Sequence, residues 1–229
     1  MDSIRTLLEQ YPVYEAFWVT IKLAVFSAFF AGILGTFVAI LRVSPIAILR
    51  FFGTAYVNVF RNTPLTLIMV FCYLGIWVTL QISFAPEGSP TYVVDNFFRL
   101  AVLGLSVYHA SFVAEALRSG VNTVPTGQAE AARAIGLSFV PSLRLIVLPQ
   151  AFRGAIAPLG NTLIALTKNT TVAYAISVHE ASWAMKNMIE FNADLLFFTF
   201  FIMAMGFVIL TLPVGVLFTW LSSRFAVQR

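Results

Sequence analysis

Residues 17–41, FWVTIKLAVFSAFFAGILGTFVAIL, carry Lys22 as their only charged side chain. About 20 consecutive apolar residues are what a helix needs to cross a bilayer core. In lipid, only a helix or a closed barrel satisfies every backbone hydrogen bond. Four further runs of this kind lie at about 64–82, 98–117, 154–178 and 195–220. The sequence therefore predicts an all-α membrane protein with five transmembrane helices in a single transmembrane domain spanning 1–229. Lys22 stands in the first turns of its run, where its long stem is expected to snorkel toward the headgroups.

Composition excludes the soluble classes. The chain is 59% hydrophobic and 10% charged, against roughly 25% charged in ordinary globular domains. Its net charge of +4 comes from Lys and Arg scattered between apolar runs, not from one basic face, so nucleic acid is not an expected partner. Cys72 is the one cysteine; it has neither a disulfide partner nor metal-ligand spacing, and a packing role is expected. The first run is too long for a cleavable leader and is flanked by Asp2, Glu9 and Glu15 instead of a basic cluster, so it is expected to remain as a span.

The charges between runs orient the chain. Arg42, Arg50 and Arg61 follow the first run, Arg118, Arg133, Arg144 and Arg153 follow the third, and Arg224 and Arg229 follow the fifth. The other set of connections holds Asp2, Glu9, Glu15, Glu87, Asp95, Glu180, Glu190 and Asp194, with only Arg5, Arg99 and Lys186 as bases. The positive-inside rule then puts the N-terminus outside and the C-terminus inside. An odd number of spans agrees with that.

One connection, 118–153, is longer than a helix-to-helix turn requires, and loops of that length are usually functional. VPTGQAEAARAIG reads as a short helix: Pro125 at its start, Glu130 in its early turns, Ala129, Ala131, Ala132 and Ala134 as helix formers, and Gly136 as its stop. A second short helix, with Ser138 as N-cap, is expected to be cut off by Pro149. An amphipathic helix resting on the headgroups is one reading of this insert. Alanines, however, bury little area in lipid and allow a partner to come close, which favours a docking element for a cytoplasmic protein.

These residues also carry a resemblance. Glu130, Ala131 and Ala132, three residues, Gly136, nine residues, then Ile146, Val147, Leu148 and Pro149 resemble the EAA signature of bacterial ABC-importer permeases, EAA-x3-G-x9-I-x-LP. RNTPLTL at 61–67, AEALRSGVNTVPTGQAEAA at 114–132, LPQAFRGAIAPLGN at 148–161 and LTKNTT at 166–171 are similar to the polar amino-acid permeases, in particular the glutamate-uptake permeases of actinobacteria. In the wider group the last motif reads more like KDTS, so Asn169 and Thr171 depart from it as the glutamate branch does.

The resemblance implies a type I ABC-importer permease fold in the bacterial plasma membrane. It also implies a second, related permease subunit, two cytoplasmic ATP-binding subunits that carry ATP and Mg, and an extracellular solute-binding protein. The coupling residues it implies are Glu130, Ala131, Ala132, Arg133, Gly136, Arg144, Leu148 and Pro149. No phosphate-cradling loop is present in the sequence, so ATP hydrolysis and catalysis are expected of another polypeptide, and this chain is expected to bind no cofactor or metal.

Polar groups within apolar runs supply candidates for a substrate pathway, because such groups are costly in lipid. They are Asn62, Thr63 and Pro64, then Glu115, then Asn161, Thr167, Lys168, Asn169, Thr170 and Thr171. TKNTT implies a break or a cavity. Lys168 either offsets the carboxylate of an anionic amino acid or pairs with an acidic group of the partner subunit. Glu115 and Arg118 stand three apart on one helix face, so a local ion pair is expected. His109 is expected to be a hydrogen-bonded interior residue. The substrate expectation is glutamate, with glutamine, aspartate or arginine as alternatives; an ATPase-independent secondary transporter is the competing class, which explains the insert less well.

Overall fold

A computed structural model describes residues 9–225. Asp2, Arg5 and Arg229, used above to orient the chain, lie outside the described residues. Helix α1, Val13–Val43, crosses the molecule in one piece. Its buried positions are Ala16, Thr20, Leu23, Ala24, Ser27, Ala31, Gly35, Val38 and Ala39, a stripe at helical spacing. Its opposite face exposes Phe26, Phe29, Phe30, Ile33, Phe37 and Ile40. The inner face is thus smaller than the outer one, not more apolar. In lipid there is no hydrophobic sorting between the two faces, and close packing of small residues selects the interior.

The partner of α1 is α4, Tyr92–Asn122, whose buried face includes Ala101, Gly104, Ala110, Ala114 and Gly120. A Cβ on Gly35 would stand 2.8 Å from the Ala110 carbonyl oxygen and 2.6 Å from Val113 Cβ. Only glycine permits that approach. Leu23, Met69, Cys72, Leu100 and Leu105 close the core at the end where α1 begins, so Cys72 is a packing residue there.

Between α1 and α4 the connection is not a loop. Residues 47–62 form α2, Ala47–Asn62, with Ile48, Phe51 and Phe52 exposed and Gly53 and Val57 buried. The chain then turns by 101° into α3, Leu65–Val70, which continues as a π-helical segment, Phe71–Thr79. Thr63 and Pro64 make that corner, since the residue before a proline avoids the helical region and Thr63 has ψ 132°. The charge pattern alone had given 42–63 to a connection, and α2 is the structure it holds.

The insert follows α4. Helix α5 is Thr126–Ala134 and α6 is Phe139–Ser142, extended by a π-helical turn, Leu143–Val147. Ser138 occupies the N-cap position of α6, its carbonyl accepting the Ser142 N–H at 3.0 Å. Helix α7, Leu148–Asn169, continues directly from the π turn. The expectation that Pro149 ends the second helix is therefore corrected: Pro149 lies in the first turn of α7, where its missing N–H costs least. The π turn supplies the room, because the Leu148 N–H reaches back to the Leu143 carbonyl, five residues away.

Helix α7 gives way to a 3-10 segment, Thr170–Ile176, in the middle of TKNTT. After a tight turn with Ser177 at φ 64° come α8, Ala181–Phe191, a 3-10 turn, Ala193–Leu195, and α9, Leu196–Arg224. Among the described residues the helices long and apolar enough to cross a membrane are α1, α4 and α9, or four spans if the bent pair α2 and α3 counts as one. The run at 154–178 does not meet that measure, because the polar residues that make it interesting also lower its hydropathy.

Candidate functional site

The insert has the shape of a hairpin fixed at its corner. Gly136 has φ +87°, a conformation that costs L side chains dearly. Its N–H bonds the Arg133 carbonyl at 3.0 Å, and the Leu137 N–H bonds the Ala132 carbonyl at 3.0 Å. Together these form a Schellman motif, which satisfies carbonyls left open at the end of α5. Ala132 is 1% exposed, so only Ala131 of the two motif alanines remains at the surface. Glu130, Arg133, Arg144, Leu148 and Pro149 are exposed. Beside them stand apolar side chains the sequence reading passed over: Ile135 at 77% exposed, Leu145 at 64% and Phe152 at 65%. A helical pattern could have flagged Ile135, an isoleucine immediately before a helix-stopping glycine. The insert therefore presents the Glu130 carboxylate, several guanidinium groups and the large apolar side chains of Ile135, Leu145, Leu148 and Phe152, a mixture that suits a protein surface better than lipid.

The second group of candidates does not gather around one cavity. Thr167 is buried and donates to the Leu163 carbonyl at 2.9 Å, Thr170 is buried and donates to Thr167 at 2.8 Å, and Thr171 donates to Lys168 at 2.8 Å. These hydroxyls satisfy the helix end where α7 tightens into the 3-10 segment. Asn169 turns inward. Its amide donates to His109 Nε2 at 3.2 Å, while His109 Nδ1 donates to the Leu105 carbonyl at 3.0 Å, so the imidazole is held as one tautomer. With His109 at 1% exposed, the expectation of a hydrogen-bonded interior residue matches the structure. Lys168 is exposed and has no carboxylate within 4 Å among the described residues.

Asn62 and Thr63 bond the carbonyls of Asn58 and Val59 in the last turn of α2, and Asn161 is exposed on α7. Glu115 pairs with Arg42, whose side chain is 6% exposed, and lies 3.9 Å from Arg61. This corrects the expected pair with Arg118, which points to the surface. The carboxylate sits where α1, α2 and α4 converge, and the more buried guanidinium takes it because that charge has no water to turn to.

A cavity of 520 Å³ lies beside the 3-10 segment, lined by Thr171 together with Thr66, Tyr174, Ser182, Met185 and Phe207 among others. Of the sequence candidates only Thr171 reaches it. At its border Glu180, fully buried, caps α8 by accepting from the Ser182 and Trp183 N–H groups and the Ser182 hydroxyl. Burial pushes this carboxyl up to about 7, against the opposing pull of those three hydrogen bonds. Glu180 was read only as a loop charge, since nothing in local sequence reveals that a loop carboxylate is buried.

Comparison with known proteins extends this picture. The family described as "Binding-protein-dependent transport system inner membrane component" matches residues 23–227. The chain is 57% identical over 214 residues to the glutamate transport system permease protein GluC of Corynebacterium glutamicum, covering 93% of this chain and 94% of that protein. It is also 33% identical over 168 residues to the glutamate transport system permease protein GluD of the same organism, covering 73% of this chain and 58% of GluD. A solved amino acid ABC transporter with histidines superimposes with a TM-score of 0.80 at 23% identity, over 98% of this chain and 96% of that one. The all-helical architecture is accordingly the type I ABC-importer permease fold. The chain belongs to the family of binding-protein-dependent transport system inner membrane components, multi-pass proteins of the bacterial plasma membrane that serve as transport components and not as enzymes.

Proposed function

We propose that this chain is the membrane-spanning permease subunit of an ATP-driven importer for a polar amino acid, with glutamate as substrate. The observation that carries the reading is the 57% identity, over 93% of the chain, to a glutamate transport permease. Its similarity to both GluC and GluD of one organism supports a second, related permease subunit as its partner. The family's description supports an external binding protein that delivers substrate.

On this reading five segments cross the bilayer, with the N-terminus outside: α1, the corner and α3 with its π extension, α4, α7 with its 3-10 extension, and α9. The exposed face of the insert docks on two cytoplasmic ATPase subunits, which bind the ATP and Mg. Glu130, Arg133 and Arg144 make charge-assisted contacts there, Ala131 allows close approach, and Ile135, Leu148 and Pro149 add apolar area. Gly136 fixes the angle at the corner of the insert. The pathway runs along the polar break of α7, where Lys168, free of any partner among the described residues, faces the substrate or the second permease.

Uptake by the reconstituted complex tests this, with glutamate, glutamine, aspartate and arginine as competitors. Glutamate is expected to compete best; stronger competition by another of the four reassigns the substrate. In the same complex Glu130→Lys is expected to abolish stimulation of ATP hydrolysis by the loaded binding protein. Unchanged stimulation and uptake would remove the coupling role from the insert.

A further inference from the structure

A second cavity, of 1090 Å³, lies beside the α1–α4 contact, along the exposed side of α1, and the transport reading leaves it unused. On α1 it is lined by Phe26, Phe30, Ile33 and Phe37, all between 48% and 58% exposed. Their spacing of four, three and four residues puts them on one helical stripe. Its mouth is polar. Lys22, Asp95, Arg99 and His179 stand there, at the end of the bundle where α1 and α4 begin.

The charges at this mouth do not balance internally. Lys22 Nζ lies 5.8 Å from the centre of the Phe98 ring and has no carboxylate within 4 Å among the described residues. Arg99 donates to the Phe84 carbonyl and likewise has no acidic partner among the described residues. Asp95 accepts the Thr91 hydroxyl at 2.6 Å and sits in the first turn of α4, where the helix dipole already favours it. His179 is held aside, stacked on Trp183 with ring centres 4.0 Å apart.

From Lys22 to Phe37 the slot runs about 22 Å along the helix at 1.5 Å per residue, more than the roughly 15 Å of one leaflet's half of the hydrocarbon core. We propose that this groove seats one anionic glycerophospholipid, with its phosphate between Lys22 and Arg99 and an acyl chain on the α1 stripe. A protein helix laid into the slot would need carboxylates of its own placed at both cations to avoid burying unpaired charge, which is costly in a membrane. A phosphodiester supplies the counter-charge and the chain that fills the slot from one molecule.

The test is native mass spectrometry of the purified permease complex, titrated with phosphatidylglycerol and, in parallel, phosphatidylcholine of the same chains. Phosphatidylglycerol is expected to be retained roughly tenfold or more better, the scale of two cations near an anionic surface. Combining Lys22→Gln with Arg99→Gln is expected to erase that preference, while Ile33→Trp, which obstructs the slot and keeps both charges, weakens retention of both lipids. Equal retention of the two lipids by the unaltered complex overturns the proposal, as does a preference that survives the double substitution. So does a photoreactive side chain at Phe30 that captures the second permease subunit in membranes instead of lipid.

Discussion

Glu115 has Arg118 three residues away on its own helix, yet it gives its charge to Arg42 and, at 3.9 Å, to Arg61. The buried guanidinium wins because it has the most to lose. Glu115→Ala is therefore expected to lower stability by roughly 2 to 3 kcal/mol, less than a fully buried pair because Glu115 keeps some contact with water. Arg118→Ala should stay within about 0.5 kcal/mol, as exposed substitutions usually do. Thermal unfolding of the purified complex compares the two, and equal losses would mean that the local pair matters after all. Glu180 carries a pH dependence of defined sign. Its carboxyl is raised from 4.5 to about 7 by burial, so the folded state favours the protonated form. The stability it contributes is complete below pH 4.5 and is lost as pH rises toward 7. Over that window stability is expected to fall by up to roughly 1.4 kcal/mol per pH unit from this group, and Glu180→Gln, which keeps an acceptor for the capping bonds, should flatten the slope. Denaturation of both forms across this pH range decides; parallel curves would contradict the assignment. Both residues were visible in the sequence as charges. The partners of Glu115 and the burial of Glu180 were not, since Arg42 and Arg61 lie 50 or more residues from Glu115 in the chain and burial depends on how separate helices pack.

Among the elements, the insert was the most legible. Pro125, the alanines and Gly136 act through local backbone preference, and local preference is what a sequence states directly. The corner at Gly136 is expected to be intolerant: Gly136→Val forces a β-branched side chain into φ +87° and should cost roughly 1 to 2 kcal/mol or more, together with loss of ATPase stimulation. Pro149→Ala, by contrast, is expected to leave both folding and stimulation nearly unchanged as far as helix termination is concerned, because the helix runs through that position. Thermal unfolding and helix content of the two variants measure this, and a marked loss in Pro149→Ala would restore a helix-ending role. The mistake over Pro149 has a physical source. A proline forbids an N–H bond, but whether the chain ends or opens a helix there depends on the preceding turn, and a π turn is a tertiary accommodation that residue types do not announce. Helices α2 and α8 were missed for a related reason, since they lie in stretches where charge was read for orientation and periodicity was not.

For the whole molecule, the close approach of α1 and α4 is the contact on which the rest is hung. Gly35→Leu would drive a side chain into Val113 and the Ala110 carbonyl, and overpacking of this kind typically costs 1 to 3 kcal/mol. Reduced yield of assembled complex, with a lower unfolding temperature in what remains, is the expected outcome; a normal complex would show that the two helices can separate without loss. The sequence by itself determined that this is an all-helical membrane chain with a polar insert bearing the EAA spacing, because length, hydropathy and backbone preference are properties of segments. It also indicated that TKNTT implies a break or a cavity, since five polar side chains in a row conflict with lipid. Only the tertiary structure decided where those side chains turn. The threonines close their own helix end, Asn169 reaches His109 sixty residues away, Lys168 stays outside, and Ala132 is buried under its own chain. Direction, burial and pairing arise when distant helices meet, and in lipid, where apolar faces are not sorted by hydrophobicity, the fit of small residues determines which helices those are.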